Sequence, residues 1–162
     1  QPHYHQKLFP EWEKRTSAQL PLFPDILVAE GNSIKKAYLC HSMIKKIKPN
    51  DLLLFYRSDD VQQITSIGVV EQIHTNQNSL EEVLRLTSKR TVFNSEEIKA
   101  QLGQPLLVII FRWHFHFSKP ISYEFLTQGV LNGPPQSILE LSHEKYQIIK
   151  KQGELNESYT FH

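Results

Sequence analysis

The alternation of apolar and polar residues is clearest in the stretch that covers residues 106–118. Four aromatic residues alternate there with polar ones: Phe111, Trp113, Phe115 and Phe117 with Arg112, His114, His116 and Ser118. A period of two is typical of a strand with one buried and one polar face. We therefore expect the four aromatic rings to be buried, and His114 and His116 to be more exposed.

Weaker patterns predict the other elements. Apolar runs over residues 52–56 and 64–73 indicate two more strands, with Gly68 marking a bulge or a close approach of backbones. Short helices are predicted over residues 80–86, 94–102 and 142–151, and Ser142 is a candidate N-cap for the last of these. Residues 136–139 are expected to form a short final strand after a rigid Gly-Pro-Pro turn.

A further helix is predicted near the start of the pattern. Asn32 or Ser33 could cap a helix that runs to about Ile47, because the apolar residues between them mostly follow helical spacing. The next four residues, Lys48-Pro49-Asn50-Asp51, have the composition of a turn, and Asn50 tolerates a left-handed backbone.

Composition narrows the class of protein. The chain has 162 residues, 40% of them hydrophobic, and one cysteine, which fits one compact domain without a disulfide framework. Because neither an export signal nor an apolar stretch of membrane-spanning length is visible, we expect a cytoplasmic protein. The prolines divide the chain into an arm or linker over residues 1–27, a domain over residues 28–152 and a tail over residues 153–162.

The distribution of charge is more informative than its sum. The whole chain has a net charge of +1, but residues 33–57 contain six basic residues and one acidic residue, which makes +5. Such a block can attract a polyanion, although a solvated helix surface would look the same. If it makes three to five phosphate contacts, the logarithm of affinity should fall against the logarithm of salt concentration with a slope of about −2 to −4.

Several kinds of catalytic and cofactor site are missing from the sequence. It has no glycine-rich phosphate loop, no serine nucleophile elbow and no pair of carboxylates placed for acid–base work. His114 and His116 could share one face of a strand, but no third metal ligand is evident nearby. Cys40 is more typical of a small buried apolar group than of a nucleophile. We expect no cofactor and no metal.

Several motifs in a fixed order carry a resemblance to a known family. They are the run from Gly31 to Ser42, the turn at Lys48, the strand that ends in Phe55-Tyr56, the Gly68-Val69-Val70 strand and the late Pro134-Pro135-Gln136-Ser137-Ile138. Together they resemble the EVE family of the PUA-like superfamily over residues 28–152. More narrowly, they resemble the segment that follows GNAT-type acetyltransferase domains in some bacterial proteins. The resemblance implies an α+β fold, a PUA-like mixed β-barrel with short flanking helices.

The resemblance also implies a function. Related YTH domains read N6-methyladenine in RNA, and EVE-like domains are linked to modified cytosine in DNA. A domain of this kind binds DNA or RNA and takes a modified base, flipped out of its stack, into a pocket. It would direct an acetyltransferase domain of a longer protein to that target. The pocket positions implied here are Asn32, Ser33, Tyr56, Arg57 and Ser58, with Gln136 and Ser137 as weaker candidates. The candidate phosphate-binding residues are Lys35, Lys36, Lys89 and Arg90.

A second interpretation is an enzyme. The ASCH branch of the same superfamily includes ribonucleases, and such an activity could work without metal through a cluster of acid and base groups. Lys35, Tyr56 and Arg57 are the candidates for that cluster. The sequence leaves both interpretations open.

Overall fold

A computed structural model describes residues 35–58, 60–87 and 94–155. These residues form four strands and four helices. The strands are β1 (Lys35–Cys40), β2 (Leu52–Arg57), β3 (Gln63–Gln77) and β4 (Leu106–Ser122). The helices are α1 (Leu80–Thr87), α2 (Ser95–Gln101), α3 (Tyr123–Leu126) and α4 (His143–Gln152).

The strands form one sheet in the order β1-β4-β3-β2, with every neighbouring pair antiparallel. The α+β class with short flanking helices is therefore confirmed. The predicted mixed β-barrel differs in detail: in the described residues the sheet is antiparallel, and it is not closed into a barrel, because β1 and β2 form its two edges. The two long strands β3 and β4 form the centre of the sheet, as their length and apolar content favour.

Both faces of the sheet are packed. On one face, Val83 of α1 and Ile98 of α2 cover Leu106, Val108 and Ile110 of β4. Further along the same chain, α3 and α4 place Leu126 and Ile149 in a second apolar cluster. On the opposite face, Leu107 and Ile109 are covered by residues of two irregular connections, the β1–β2 connection (residues 41–51) and the α3–α4 connection (residues 127–142). The first half of β4 is thus buried on both sides.

This packing changes the expected pattern in β4. Phe111 and Phe117 are buried as predicted, but Trp113 and Phe115 are only half-buried, and His116 is buried with 4% of its surface exposed. The reason is a bulge: Trp113 pairs with Gly68 and Phe115 with Ile67, so β4 has one residue more than β3 between these two pairs. The extra residue brings His116 beside Trp113, with ring centroids 5.0 Å apart. The hydroxyl of Ser66 lies 2.7 Å from His116 Nδ1, so the buried imidazole is hydrogen-bonded.

The predicted first helix is wrong where the structure describes it. Residues 35–40 are the strand β1, which pairs with β4, and residues 41–48 have no regular structure. Ala37 and Leu39 pack against the α1–α2 side, whereas Tyr38 and Cys40 pack on the other side. This period of two is hidden in the sequence because residues on both faces are apolar. Asn32 and Ser33, the predicted caps, lie outside the described residues.

Of the remaining predicted elements, one strand is wrong and three helices are confirmed. The predicted strand over residues 136–139 is wrong: the segment is irregular, and the preceding Pro134 and Pro135 lack the N–H groups that a sheet ladder needs. The helices predicted over residues 80–86, 94–102 and 142–151 are confirmed as α1, α2 and α4, and Ser142 caps α4 as predicted. Asn94 and Glu97 form a capping box at α2, and the Ser142 hydroxyl accepts from Lys145 N at 3.4 Å at α4.

The predicted arm over residues 1–27 and its boundary lie outside the described residues, as does most of the predicted tail over residues 153–162. Within residues 35–58, 60–87 and 94–155, no helix has both the length and the apolar character that a membrane crossing requires.

Candidate nucleic-acid interface

A cavity of about 900 Å³ lies between both edge strands and the two irregular connections. Its lining includes residues of β1 and β2, of the β1–β2 connection and of the α3–α4 connection, together with Tyr146 of α4. Residues as far apart in the sequence as Ala37 and Tyr146 therefore lie at one site.

The β1–β2 connection is fixed to the sheet by its final turn. Asn50 adopts a φ of 74°, the left-handed conformation that the sequence predicted for it. Its N–H donates to Val70 O at 2.9 Å, and Val70 N–H donates to Asp51 O at 2.9 Å. Lys48 N–H also donates to the Asp51 carboxylate at 2.9 Å. These bonds hold one wall of the cavity against β3.

The α3–α4 connection forms the facing wall. Ile138 packs against the same apolar cluster as Ile44 and Ile47 of the β1–β2 connection. This contact places the neighbouring Gln136 and Ser137, which are both exposed, at the cavity. The connection ends where Ser142 caps α4.

Four of the predicted base-pocket residues line this cavity: Tyr56, Ser58, Gln136 and Ser137. Arg57 does not line it. Its guanidinium is buried with 4% of the side chain exposed, and it forms an ion pair with Asp60 beyond the end of β2. Asn32 and Ser33 lie outside the described residues.

Of the predicted phosphate-binding residues, the structure describes Lys35 and Lys36, and neither lines this cavity. Lys35 Nζ lies 2.9 Å from Glu71 Oε2 on β3, and the same carboxylate accepts from Arg112. Lys36 is buried, with 8% of its surface exposed. Lys89 and Arg90 lie outside the described residues. All four phosphate-binding residues were predicted from local charge alone, whereas strand pairing determines on which side of the sheet a lysine lies.

The cavity contains several side chains that the sequence analysis did not single out for the site. Lys46 and Glu140 belong to the two facing connections, His41 follows β1, and Tyr146 lies in α4. The basic block over residues 33–57 was the available signal for Lys46. No pattern in the sequence indicated Glu140 or Tyr146, because their position depends on the path of the α3–α4 connection.

Three tyrosines at the cavity have a raised pKa. Burial raises the pKa of Tyr38 to about 12, with Cys40 adding to the effect. Burial also raises the pKa of Tyr146, and burial followed by the nearby Tyr123 raises that of Tyr56. At neutral pH these phenols are uncharged, so each offers a ring face and an O–H group.

Burial likewise raises the pKa of the Cys40 thiol, which makes a thiolate nucleophile unfavourable there. Among residues 35–58, 60–87 and 94–155, no cluster of three or more His, Cys, Asp or Glu side chains is placed to hold a metal ion. The described cavity therefore combines apolar and aromatic walls with uncharged hydrogen-bonding groups and a few exposed charges.

Comparison with known structures agrees with this architecture. The crystal structure of the ASCH protein from Zymomonas mobilis matches with a TM-score of 0.63 and 16% sequence identity, covering 80% of this chain and 90% of that one. The chain has the fold of an ASCH domain. Two variants of the Zymomonas protein, one with a tyrosine changed to phenylalanine and one with a serine changed to alanine, also match with TM-scores of 0.63 and 15% identity. They cover 80% of this chain and 93% and 91% of their own chains.

The fold that the resemblance implied is thus confirmed as similar to that of an ASCH domain. No protein-family model matches the sequence, and no curated protein matches it either.

Proposed function

We propose that this ASCH-like domain binds nucleic acid and takes a single base into the cavity between its two irregular connections. The observation that supports the proposal most is the convergence of Tyr56 and Ser58 with Gln136 and Ser137, which are nearly 80 residues away in the sequence. A base that leaves its stack needs an apolar or aromatic surface and a few polar partners for its edge.

The cavity supplies the surface that such a base requires. Its volume of about 900 Å³ lies within the range of roughly 300–1,000 Å³ that is typical of small-ligand sites. Leu53, Phe55 and Ile138 contribute apolar walls, and Tyr56 adds an aromatic ring. Stacking on an aromatic side chain is worth about 1–3 kcal/mol per base.

Positive charge on the β1–β2 connection, which forms one wall of the cavity, would hold the nucleic-acid strand from which the base comes. Lys45, Lys46 and Lys48 of the β1–β2 connection are all exposed, in contrast to the buried Lys36 and Arg57. Three contacts from these lysines would make the salt slope about −2 to −3. A flat salt response would contradict this part of the proposal.

From the EVE resemblance we further propose that the base is modified, and that the domain delivers a linked acetyltransferase to its target in the cytoplasm. The Zymomonas comparison supports the PUA-like fold of such a reader. A panel of free nucleosides, with and without N6-methylation of adenine or modification of cytosine, tests the first point. Equal affinity for each modified and unmodified pair would restrict the function to ordinary nucleic-acid binding.

The binding function is favoured over a ribonuclease of the predicted kind. Of Lys35, Tyr56 and Arg57, only Tyr56 lines the cavity, because Lys35 pairs with Glu71 and Arg57 with Asp60. The raised pKa of Tyr56 disfavours its phenolate form as a base near neutral pH. Incubation of labelled RNA with the protein in EDTA separates the two functions, because only the ribonuclease predicts cleavage.

Ser137→Leu tests the cavity as the binding site. The serine is exposed, so the change adds bulk at the cavity without adding charge or a ring for stacking. Fluorescence polarisation with single-stranded oligonucleotides should show at least a tenfold loss of affinity. The matched control is Ser118→Leu, an exposed serine on β4 that does not line the cavity, which should bind within twofold of the wild type.

Both variants should unfold within about 1 kcal/mol of the wild type, as expected for surface sites. If Ser137→Leu and Ser118→Leu bind equally well, the cavity is not the site of base binding.

A further inference from the structure

One ion pair connects the two irregular connections that form the cavity walls. Lys46 Nζ in the β1–β2 connection lies 3.0 Å from Glu140 Oε2 in the α3–α4 connection. Both residues line the cavity. Their side chains are 77% and 59% exposed, so the pair lies where a ligand that enters from solvent can reach it.

The exposure of this pair makes it easy to open. Exposed ion pairs contribute little to stability, because water solvates both partners well after they separate. A phosphodiester that approaches Lys46 offers anionic oxygens in place of the Glu140 carboxylate. The ammonium group then keeps a charge-assisted hydrogen bond throughout the exchange.

The other described lysines of the basic block over residues 33–57 differ from Lys46. Lys45 and Lys48 are exposed but do not line the cavity. Lys35 shares Glu71 with Arg112, and only 20% of the Glu71 side chain is exposed, so both cations hold that carboxylate in place. Lys36 is buried. Lys46 therefore combines a position at the cavity with a partner that is readily displaced.

We propose that Lys46 is the phosphate-binding residue of the cavity and that Glu140 is its displaceable counter-ion. This inference rests on the proposed function and assigns the phosphate next to the bound base to Lys46. Glu140 then sets the affinity, because it occupies Lys46 in the free protein and repels the incoming nucleic-acid strand. A polyanion that brings no base into the cavity is therefore bound more weakly.

The test is a double-mutant cycle with Glu140→Gln, Lys46→Gln and the double variant. Each is titrated with a short single-stranded RNA and a single-stranded DNA across a salt series. The matched controls are Glu154→Gln and Lys119→Gln, because Lys119 and Glu154 form a similarly exposed pair with the same 3.0 Å distance and neither lines the cavity.

We expect Glu140→Gln to strengthen binding about three- to tenfold at low salt, since it removes the competitor for Lys46 and one repulsive charge. Lys46→Gln should weaken binding and make the salt slope shallower by about 0.7–0.9. In the Lys46→Gln background, most of the gain from Glu140→Gln should disappear. The two control variants should leave the affinity within twofold of the wild type.

The outcomes separate this inference from the proposed function. If the wild type binds but Glu140→Gln has no effect, or strengthens binding equally with and without Lys46, the counter-ion role is wrong and the base-binding function stands. If Glu154→Gln strengthens binding as much as Glu140→Gln, the effect is one of net charge, and the inference also fails. If neither the wild type nor any variant binds either oligonucleotide at low salt, the proposed function itself is wrong.

Discussion

The close approach of β3 and β4 at Gly68 makes the substitution Gly68→Ala a sensitive probe of the sheet. A Cβ atom at this position would lie 2.8 Å from Arg112 O and 3.0 Å from Phe111 Cδ2. The first contact is the more serious, because a backbone oxygen cannot rotate away as a side chain can. Since Gly68 lies where the pairing of β3 and β4 changes register, the added methyl group would push the two central strands apart.

The magnitude follows from two opposing effects. Overpacking of a well-packed core costs about 1–3 kcal/mol, and a backbone contact belongs in the upper part of that range. Replacement of glycine by alanine also restricts the unfolded chain, which stabilises the protein by about 0.4–1 kcal/mol. We therefore expect Gly68→Ala to lower the free energy of unfolding by about 2 kcal/mol.

Urea denaturation followed by circular dichroism measures this difference, and thermal unfolding should show a Tm lower by about 4–8 °C. Gly103→Ala is the matched control, because a Cβ at Gly103 would meet no atom within 4 Å. The control should be as stable as the wild type or slightly more stable. If Gly68→Ala were as stable as Gly103→Ala, the approach of β3 and β4 described above would be wrong.

Two further predictions concern the core and pH. Phe111→Ala should lower the free energy of unfolding, measured by urea denaturation, by about 3–5 kcal/mol. Phe115→Ala should lower it clearly less, because Phe111 is fully buried and Phe115 only half-buried. Equal losses of stability would contradict the bulge in β4. Burial alone would raise the pKa of Glu71, but hydrogen bonds from Lys35 and Arg112 outweigh burial and lower this pKa. The stabilisation by the ionised carboxylate is therefore fully present when the pH is above the ordinary pKa of 4.5. The stability advantage of the wild type over Glu71→Gln should be present at pH 6 and shrink as the pH falls below about 4 towards the folded-state pKa; an advantage that grows on acidification would reverse the sign of this reasoning.

The candidate site was predictable only in part. Four of the pocket residues that the EVE resemblance implied line the cavity: Tyr56, Ser58, Gln136 and Ser137. Arg57 directly follows Tyr56 in the sequence, yet it is buried beside Asp60. Side chains alternate along a strand, so a run of adjacent polar residues at a strand end cannot all reach one site.

The phosphate-binding residues were harder to predict, for a different reason. A count of lysines identifies a basic block but contains no information about which acidic residue each lysine meets. Glu71 and Glu140 follow Lys35 and Lys46 by 36 and 94 positions, so only the paths of β3 and the α3–α4 connection determine those pairs.

The sequence by itself determined the elements whose signals are local. Strand β2, the core of β3 and helices α1, α2 and α4 were predictable because apolar runs, turn residues and N-caps act within a few positions of one another. The conformation of Asn50 belongs here too, since asparagine tolerates a left-handed backbone wherever a turn requires one.

Tertiary structure decided the elements whose two faces have different neighbours. Residues 35–40 fit a helical pattern almost as well as a strand, and pairing with the edge of β4 made them a strand by giving their backbone groups partners. The bulge at His114 buried His116 where alternation predicted exposure, because the ladder with β3 gained one residue. The cavity itself arises from tertiary contacts too: its walls come from segments with weak local preferences, and contacts with the sheet and with each other give them their positions.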